Sequence, residues 1–261
     1  MALTLLVFVA TAYLAVLGIL YFSQTRLIYP APGADMSVPA GFERVEFRTP
    51  DGLSLQAGYR ASRNGMPTLL FFHGNGANWQ SSAMVTDRLA AAGYGVMAAE
   101  YRGYSGNPGS PSEAGLYDDA RGAWEFLRER GVAAGDIVLV GNSIGSGVAV
   151  HLATEVEAHA LVLISPFDSL EATASRKLRW LPVNLLLRDR YDNAGKLPGI
   201  AEPILILHGE EDSLIALDQA ARLASLRPDV EMEIYPGWGH DLIFNEKVQE
   251  RIAAFVEHLE C

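Results

Sequence analysis

The sequence predicts an α/β chain: a mostly parallel, eight-stranded sheet with helices on both faces, preceded by one apolar N-terminal helix. Three observations carry this expectation. From Phe42 onward, short apolar runs of strand length alternate with helix-length stretches. Residues 2–22 hold no charged side chain. A glycine-flanked serine stands where one apolar run meets a helix-competent stretch.

Size and composition narrow the function classes. The 261 residues give room for one large domain or two small ones, and 49% hydrophobic residues supply a core that a disordered chain lacks. Lys and Arg number 20 against 31 Asp and Glu, a formal charge of −11. Gripping a phosphate backbone needs clustered basic charge, so a nucleic-acid partner is not expected. The single cysteine, Cys261, excludes a disulfide framework and a zinc site built on thiolates.

At about 1.5 Å per residue, residues 2–22 reach roughly 31 Å, matching a hydrocarbon core of about 30 Å. A cleaved signal peptide would carry a basic residue before a shorter apolar run. Here none precedes Arg26, and small-residue cleavage candidates occur only near Ala31 to Ala34. A buried core helix would show a polar face, and this stretch has none. The expected layout is a single-pass transmembrane anchor over 1–22, a stem over 23–41 and a folded domain over 42–261. Arg26, just past the span, favours a cytoplasmic C-terminal side.

Two strands at 42–48 and 53–59, joined by Pro50-Asp51-Gly52, predict an antiparallel hairpin. Runs at 68–72, 95–99, 137–140, 160–164, 204–207 and 232–235 read as strands buried on both faces. Helical stretches fall at 78–92, 111–130, 144–157, 214–226 and 240–258. The second of these opens on Ser110-Pro111-Ser112-Glu113, a capping box with Ser110 at N-cap. Residues 166–202 exceed what a crossover needs and are expected to form a short helical lid.

Gly141-Asn142-Ser143-Ile144-Gly145 fits G-x-S-x-G in a strand-turn-helix setting, which makes Ser143 the candidate nucleophile. Of six histidines, His151, His159 and His258 sit on or beside helices, and His73 and His208 directly follow strands. His240 lies in a glycine-flanked loop after the last strand, where a Ser–acid–His order places the base. The orienting acid is expected in His208-Gly209-Glu210-Glu211-Asp212. Asp212 sits furthest into that loop, with Glu210 and Glu211 as close rivals and Asp168 as a distant one. Phe71-Phe72-His73-Gly74-Asn75-Gly76 ends a strand in a glycine-rich loop able to present backbone N–H groups. The amides of Asn75 and Ile144 are the expected oxyanion donors. A phosphate-cradling loop is excluded, since neither Gly-Lys-Ser/Thr nor G-x-G-x-x-G is present.

Together, His73-Gly74-Asn75-Gly76, Tyr101-Arg102-Gly103-Tyr104, the Ser143 motif, the loop ending in Asp212 and Gly239-His240 resemble the α/β-hydrolase superfamily. Within it, the chain resembles the membrane-anchored abhydrolase branch, which includes acyl-protein thioesterases. Residues 101–113 are similar to the branch's segment after the fourth strand, with Ser105 and Asn107 replacing the usual Gly and Ser. Pro166 to Leu170, Leu181 to Val183 and Leu186 to Arg190 carry the resemblance further, over about residues 42–261.

The resemblance implies the α/β-hydrolase fold and serine-nucleophile hydrolysis of an ester or thioester, without metal or cofactor. The same fold hosts serine aminopeptidases, lyases, haloperoxidase-like enzymes and non-catalytic binding members. Eukaryotic depalmitoylases of the branch attach to membranes through an N-terminal cysteine cluster. This chain lacks the cluster, and its apolar span would replace it. The lid region sets Arg176, Lys177, Arg179, Arg188, Arg190 and Lys196 against Asp168, Glu171, Asp189, Asp192 and Glu202. Leucines and Trp180 are interleaved with them. That mixture suits a surface on anionic headgroups and a small-molecule, lipid or acyl substrate; the alternative is a cap core with a solvated basic face.

Overall fold

A computed structural model describes residues 1–33 and 37–259. Part of the expected stem and Cys261 therefore lie outside the described residues. Eight strands form one sheet: β1 Glu43–Arg48, β2 Ser54–Arg60, β3 Thr68–Phe72, β4 Gly95–Ala99, β5 Ile137–Asn142, β6 Ala160–Ile164, β7 Ile204–Gly209 and β8 Glu231–Tyr235, in the order β1-β2-β4-β3-β5-β6-β7-β8. β1 and β2 form the expected hairpin, with Gly52 at φ +92° in its turn, and β2 also runs antiparallel to β4. All remaining pairs are parallel. Parallel strands share their carboxyl ends at one edge, so the loops after β3, β5, β7 and β8 meet there.

The helices are α1 Ala2–Ile28, α2 Trp79–Met84, α3 Asp87–Ala92, α4 Glu113–Glu129, α5 Ile144–Ala153, α6 Leu170–Lys177, α7 Val183–Leu186, α8 Asn193–Lys196, α9 Leu217–Ser225 and α10 Glu246–Leu259. Strand residues alternate between two cores because successive side chains point to opposite faces. Leu70, Phe72, Leu139, Leu161 and Leu163 pack with α4, α5 and α9. Leu69, Phe71, Val138, Val140 and Val162 pack with α2, α3 and α10.

Three local expectations change. The stretch 78–92 divides at Val85 and Thr86 into α2 and α3. α4 is capped by Ser112, not Ser110: the Ser112 side chain accepts from the Gly115 amide. Glu113 therefore falls in the first turn, where it accepts from Tyr117 and from the Arg190 amide instead of closing a box. The segment before α10 is a 3₁₀ turn, Leu242–Phe244, which leaves His240 in a loop.

Arg102 ties the hairpin turn to α4. Its guanidinium donates to Asp51 at 2.8 and 2.9 Å and to Asp119 at 2.8 Å, and Asp119 also accepts the Arg102 amide at 2.9 Å. Burial raises the Asp119 carboxyl against the pull of Arg102, so the acid depends on its partner. Arg102→Ala is expected to cost about 3–5 kcal/mol by leaving a buried, unpaired carboxylate. Urea unfolding of the variant, midpoint and slope together, measures this, and a loss under about 1 kcal/mol would contradict it.

The N-terminal helix runs past Phe22 to Ile28, and its end is built into the domain. Buried Gln24 donates to the Leu186 carbonyl at 3.3 Å and accepts from the Arg188 amide at 2.9 Å. Tyr29 joins the main core, and its hydroxyl meets Asp189 and Tyr191, each at 2.9 Å. Residues 23–29, the first part of the expected stem, are thus docked on the domain. Two hydroxyls of α1 bond within the helix: Thr11 donates to the Val7 carbonyl and Ser23 to that of Ile19.

The insertion is helical, carrying α6, α7 and α8. The expected lid contributes no residue to the lining of the cavity at the carboxyl edge of the sheet. Its apolar side packs against α1 instead, where Leu178, Leu181, Leu186 and Leu187 face Leu20, Tyr21 and Ile28 across a narrow groove.

Candidate active site

Ser143 sits between β5 and α5 at φ +53°, ψ −119°, a left-handed conformation that costs a non-glycine residue energy. Two glycines let the chain turn that sharply. A Cβ on Gly145 would stand 2.1 Å from the Phe72 carbonyl oxygen, and one on Gly141 would stand 2.4 Å from that of Gly145. The Ser143 amide donates to the Ile164 carbonyl at 2.9 Å, so the ladder with β6 extends to the turn itself. The serine is nearly buried, and its side chain is at the N-terminus of α5, whose dipole favours negative charge.

His240 arrives from the loop after β8. Its Nε2 is 2.9 Å from Ser143 Oγ, and its Nδ1 is 2.8 Å from Asp212 Oδ2. The other Asp212 oxygen accepts the Leu214 and Ile215 amides at 2.8 Å each. Burial raises this carboxyl, but hydrogen bonds from His240 and the two amides outweigh burial and leave it below its ordinary value. Glu210 and Glu211 are exposed, whereas Asp212 is buried. Asp168 is engaged elsewhere, with Arg222 at 3.2 Å.

The other histidines take different places. His208 is buried behind Asp212 and bonds the Ile215 carbonyl at 3.0 Å; burial lowers its pKa and favours the neutral ring. His151 stacks on Tyr117 with centroids 3.5 Å apart, and burial lowers it to about 4. His159 meets the Gly135 carbonyl at 2.7 Å, and His258 is exposed on α10.

The glycine loop after β3 faces Ser143: a Cβ on Gly74 would be 3.2 Å from that of Ser143. Asn75 lines the same cavity as Ser143, and Ile144 opens α5 immediately after the serine. The loop is tethered by a residue that sequence reasoning passed over. The Glu100 carboxylate is fully buried and accepts from His73 Nε2 at 2.7 Å, the Trp79 amide at 3.0 Å, the Tyr101 amide at 3.1 Å and Ser105 Oγ at 2.7 Å. The His73 Nδ1 lies 2.9 Å from the Gly74 carbonyl, so the ring bridges Glu100 and the glycine loop. The available signal was an acid placed directly after a wholly apolar strand.

The cavity at this edge measures about 630 Å³ and opens between the β3 loop, α2 and the His240 loop. Phe71, Val85, Leu214, Ile243 and Phe244 make it largely apolar, and Asp241 is the one carboxylate among the described residues that line it. Among the described residues no group of three or more His, Cys, Asp or Glu is placed to hold a metal ion.

An eight-stranded, mostly parallel sheet with a strained serine turn and a facing histidine defines an α/β hydrolase. A family model described as "Serine aminopeptidase, S33" matches residues 66–193. The chain belongs to the α/β-hydrolase superfamily and, by its relatives, fits the membrane-anchored abhydrolase branch. It is 34% identical over 249 residues to an uncharacterised protein of Mycobacterium tuberculosis, covering 92% of this chain and 88% of that one. It is 33% identical over 202 residues to the human alpha/beta hydrolase domain-containing protein 17B, covering 76% and 68%. Among solved structures, the Pyrococcus furiosus esterase Pf2001 superposes with a TM-score of 0.73 at 20% identity, covering 88% of this chain and 97% of that one. A bacterial membrane phospholipase A superposes with a TM-score of 0.63 at 18% identity, covering 99% and 97%.

Proposed function

We propose that the protein is a serine hydrolase cleaving carboxylic ester or thioester bonds through an acyl-enzyme, anchored to a membrane by α1. The observation that carries the reading is the unbroken hydrogen-bond chain from Ser143 through His240 to Asp212 at the mouth of an apolar cavity. His240 takes the Ser143 proton as Oγ attacks the substrate carbonyl. The amides of Asn75 and Ile144 stabilise the oxyanion. His240 then protonates the departing alcohol or thiol. Water attacks the acyl-enzyme, giving its proton to His240, which returns it to Ser143. Asp212 holds the imidazole in the tautomer that presents Nε2 to the serine. Substrates are acyl compounds, lipid-derived or carried on another molecule, in keeping with the apolar lining.

A second reading, a serine aminopeptidase, is favoured by the matching family model and by Asp241, which could receive a free amino group. The test is fluorophosphonate labelling with the modified peptide mapped, followed by turnover of acyl esters of increasing chain length, matched thioesters and aminoacyl anilides. Labelling at Ser143 with ester or thioester turnover is expected. Preference for the anilides would favour the peptidase, and no labelling would leave a non-catalytic binding member of the fold.

A further inference from the structure

The insertion and α1 share more than a junction. α1 is 27 residues long, or about 40 Å. Domain contacts begin halfway along it: the Tyr13 hydroxyl donates to the Trp180 carbonyl at 2.9 Å, with the two rings 6.3 Å apart. They continue through Gln24 to Tyr29. Residues 2–12, the part beyond those contacts, reach only about 16 Å, half of a hydrocarbon core of about 30 Å. An α1 that crosses a bilayer therefore carries part of the insertion in with it. From Phe22 to Tyr13 the helix descends about 14 Å, within the roughly 15 Å of one leaflet.

The insertion is composed for that position. Between Arg179 and Arg188 the sequence is Trp180-Leu181-Pro182-Val183-Asn184-Leu185-Leu186-Leu187, with no charge. Its outer side chains are bare: Leu185 is 78% exposed and Trp180 57%. In water such a ridge is unfavourable, whereas in a leaflet it continues the apolar surface of α1. The Trp180 carbonyl, which would otherwise face hydrocarbon unpaired, is satisfied by Tyr13. Some basic residues at the rim are committed within the protein, Arg176 to Asp218 and Arg190 to Glu171. Arg26 and Arg179 are exposed, and Arg188 lies over the Tyr21 ring at 5.3 Å. These three suit phosphate groups at the leaflet surface.

We infer that residues 180–187 are embedded in the near leaflet beside α1, with Arg26, Arg179 and Arg188 at the level of anionic headgroups. The inference rests on the anchor part of the proposed function and is independent of the hydrolase chemistry. The insertion thus fixes how the domain stands on the membrane.

The test uses the full chain in vesicles of phosphatidylcholine and phosphatidylglycerol, with bromine on the acyl chains as a tryptophan quencher. Flotation reports the anchor, and quenching reports the insertion. Of the four tryptophans, Trp79 and Trp124 are in the core and Trp238 is in the His240 loop. The wild-type chain is expected to be quenched, and Trp180→Phe is expected to lose at least half of that quenching. A chain that floats but shows equal quenching in Trp180→Phe, or none in the wild type, overturns the inference while sparing the anchor. A chain that does not float overturns both. As a second measurement, Leu185→Cys in a Cys261→Ser background, carrying an environment-sensitive fluorophore, is expected to shift to the blue on these vesicles. Emission identical to that in buffer counts against embedding.

Discussion

Ser143→Ala is expected to abolish fluorophosphonate labelling and to lower kcat on the best acyl ester by on the order of 10⁴–10⁶. The fold should be untouched. The serine makes its turn through Gly141 and Gly145, and its hydroxyl meets His240. Alanine keeps the backbone bond from residue 143 to the Ile164 carbonyl. The strain at φ +53° remains, since alanine also carries a Cβ there. A matching urea midpoint together with lost turnover is the expected pair of results. Labelling that persists in Ser143→Ala would identify another nucleophile and sink the proposed chemistry.

Asp212→Asn is expected to lower kcat by about 10⁴ with little change in KM. The carboxylate now accepts from His240 Nδ1, leaving Nε2 free to receive the serine proton. An amide NH₂ at that place would donate to Nδ1 and put the ring proton on Nε2, the wrong tautomer for a base. The amides of Leu214 and Ile215 would still find the side-chain oxygen, which limits structural damage. Glu210→Gln and Glu211→Gln, on exposed carboxylates, are expected to leave kcat within about twofold, since nothing ties them to the imidazole. Asp168→Asn is the decisive control. If it loses activity and Asp212→Asn does not, the acid has been misassigned.

Legibility in the sequence followed physical range. The sheet was readable because burial on both faces demands continuous apolar runs such as Thr68–Phe72 and Ala160–Ile164, and no partner is needed to see them. Ser143 and His240 stood out because their glycine neighbours and chain order are local features. The choice among Glu210, Glu211 and Asp212 was not local: which carboxylate reaches the imidazole depends on the loop after β8. Glu100 escaped notice for the same reason, because two of its four donors, His73 and the Trp79 amide, come from a stretch more than twenty residues away. The cap of α4 was misplaced because two serines two residues apart offer the same local pattern, and the Glu113 carboxylate is drawn to Tyr117 and to the Arg190 amide.

By itself, then, the sequence determined the alternation of strands and helices, the apolar character of α1 and the turn that carries Ser143. These depend on periodicity, hydrophobicity and glycine, which act over a few residues. Only the tertiary structure decided which acid meets His240, and that the insertion lies along α1. Those outcomes arise from contacts such as Tyr13 with Trp180 and Gln24 with Leu186, between segments far apart in the chain whose pairing no local pattern encodes.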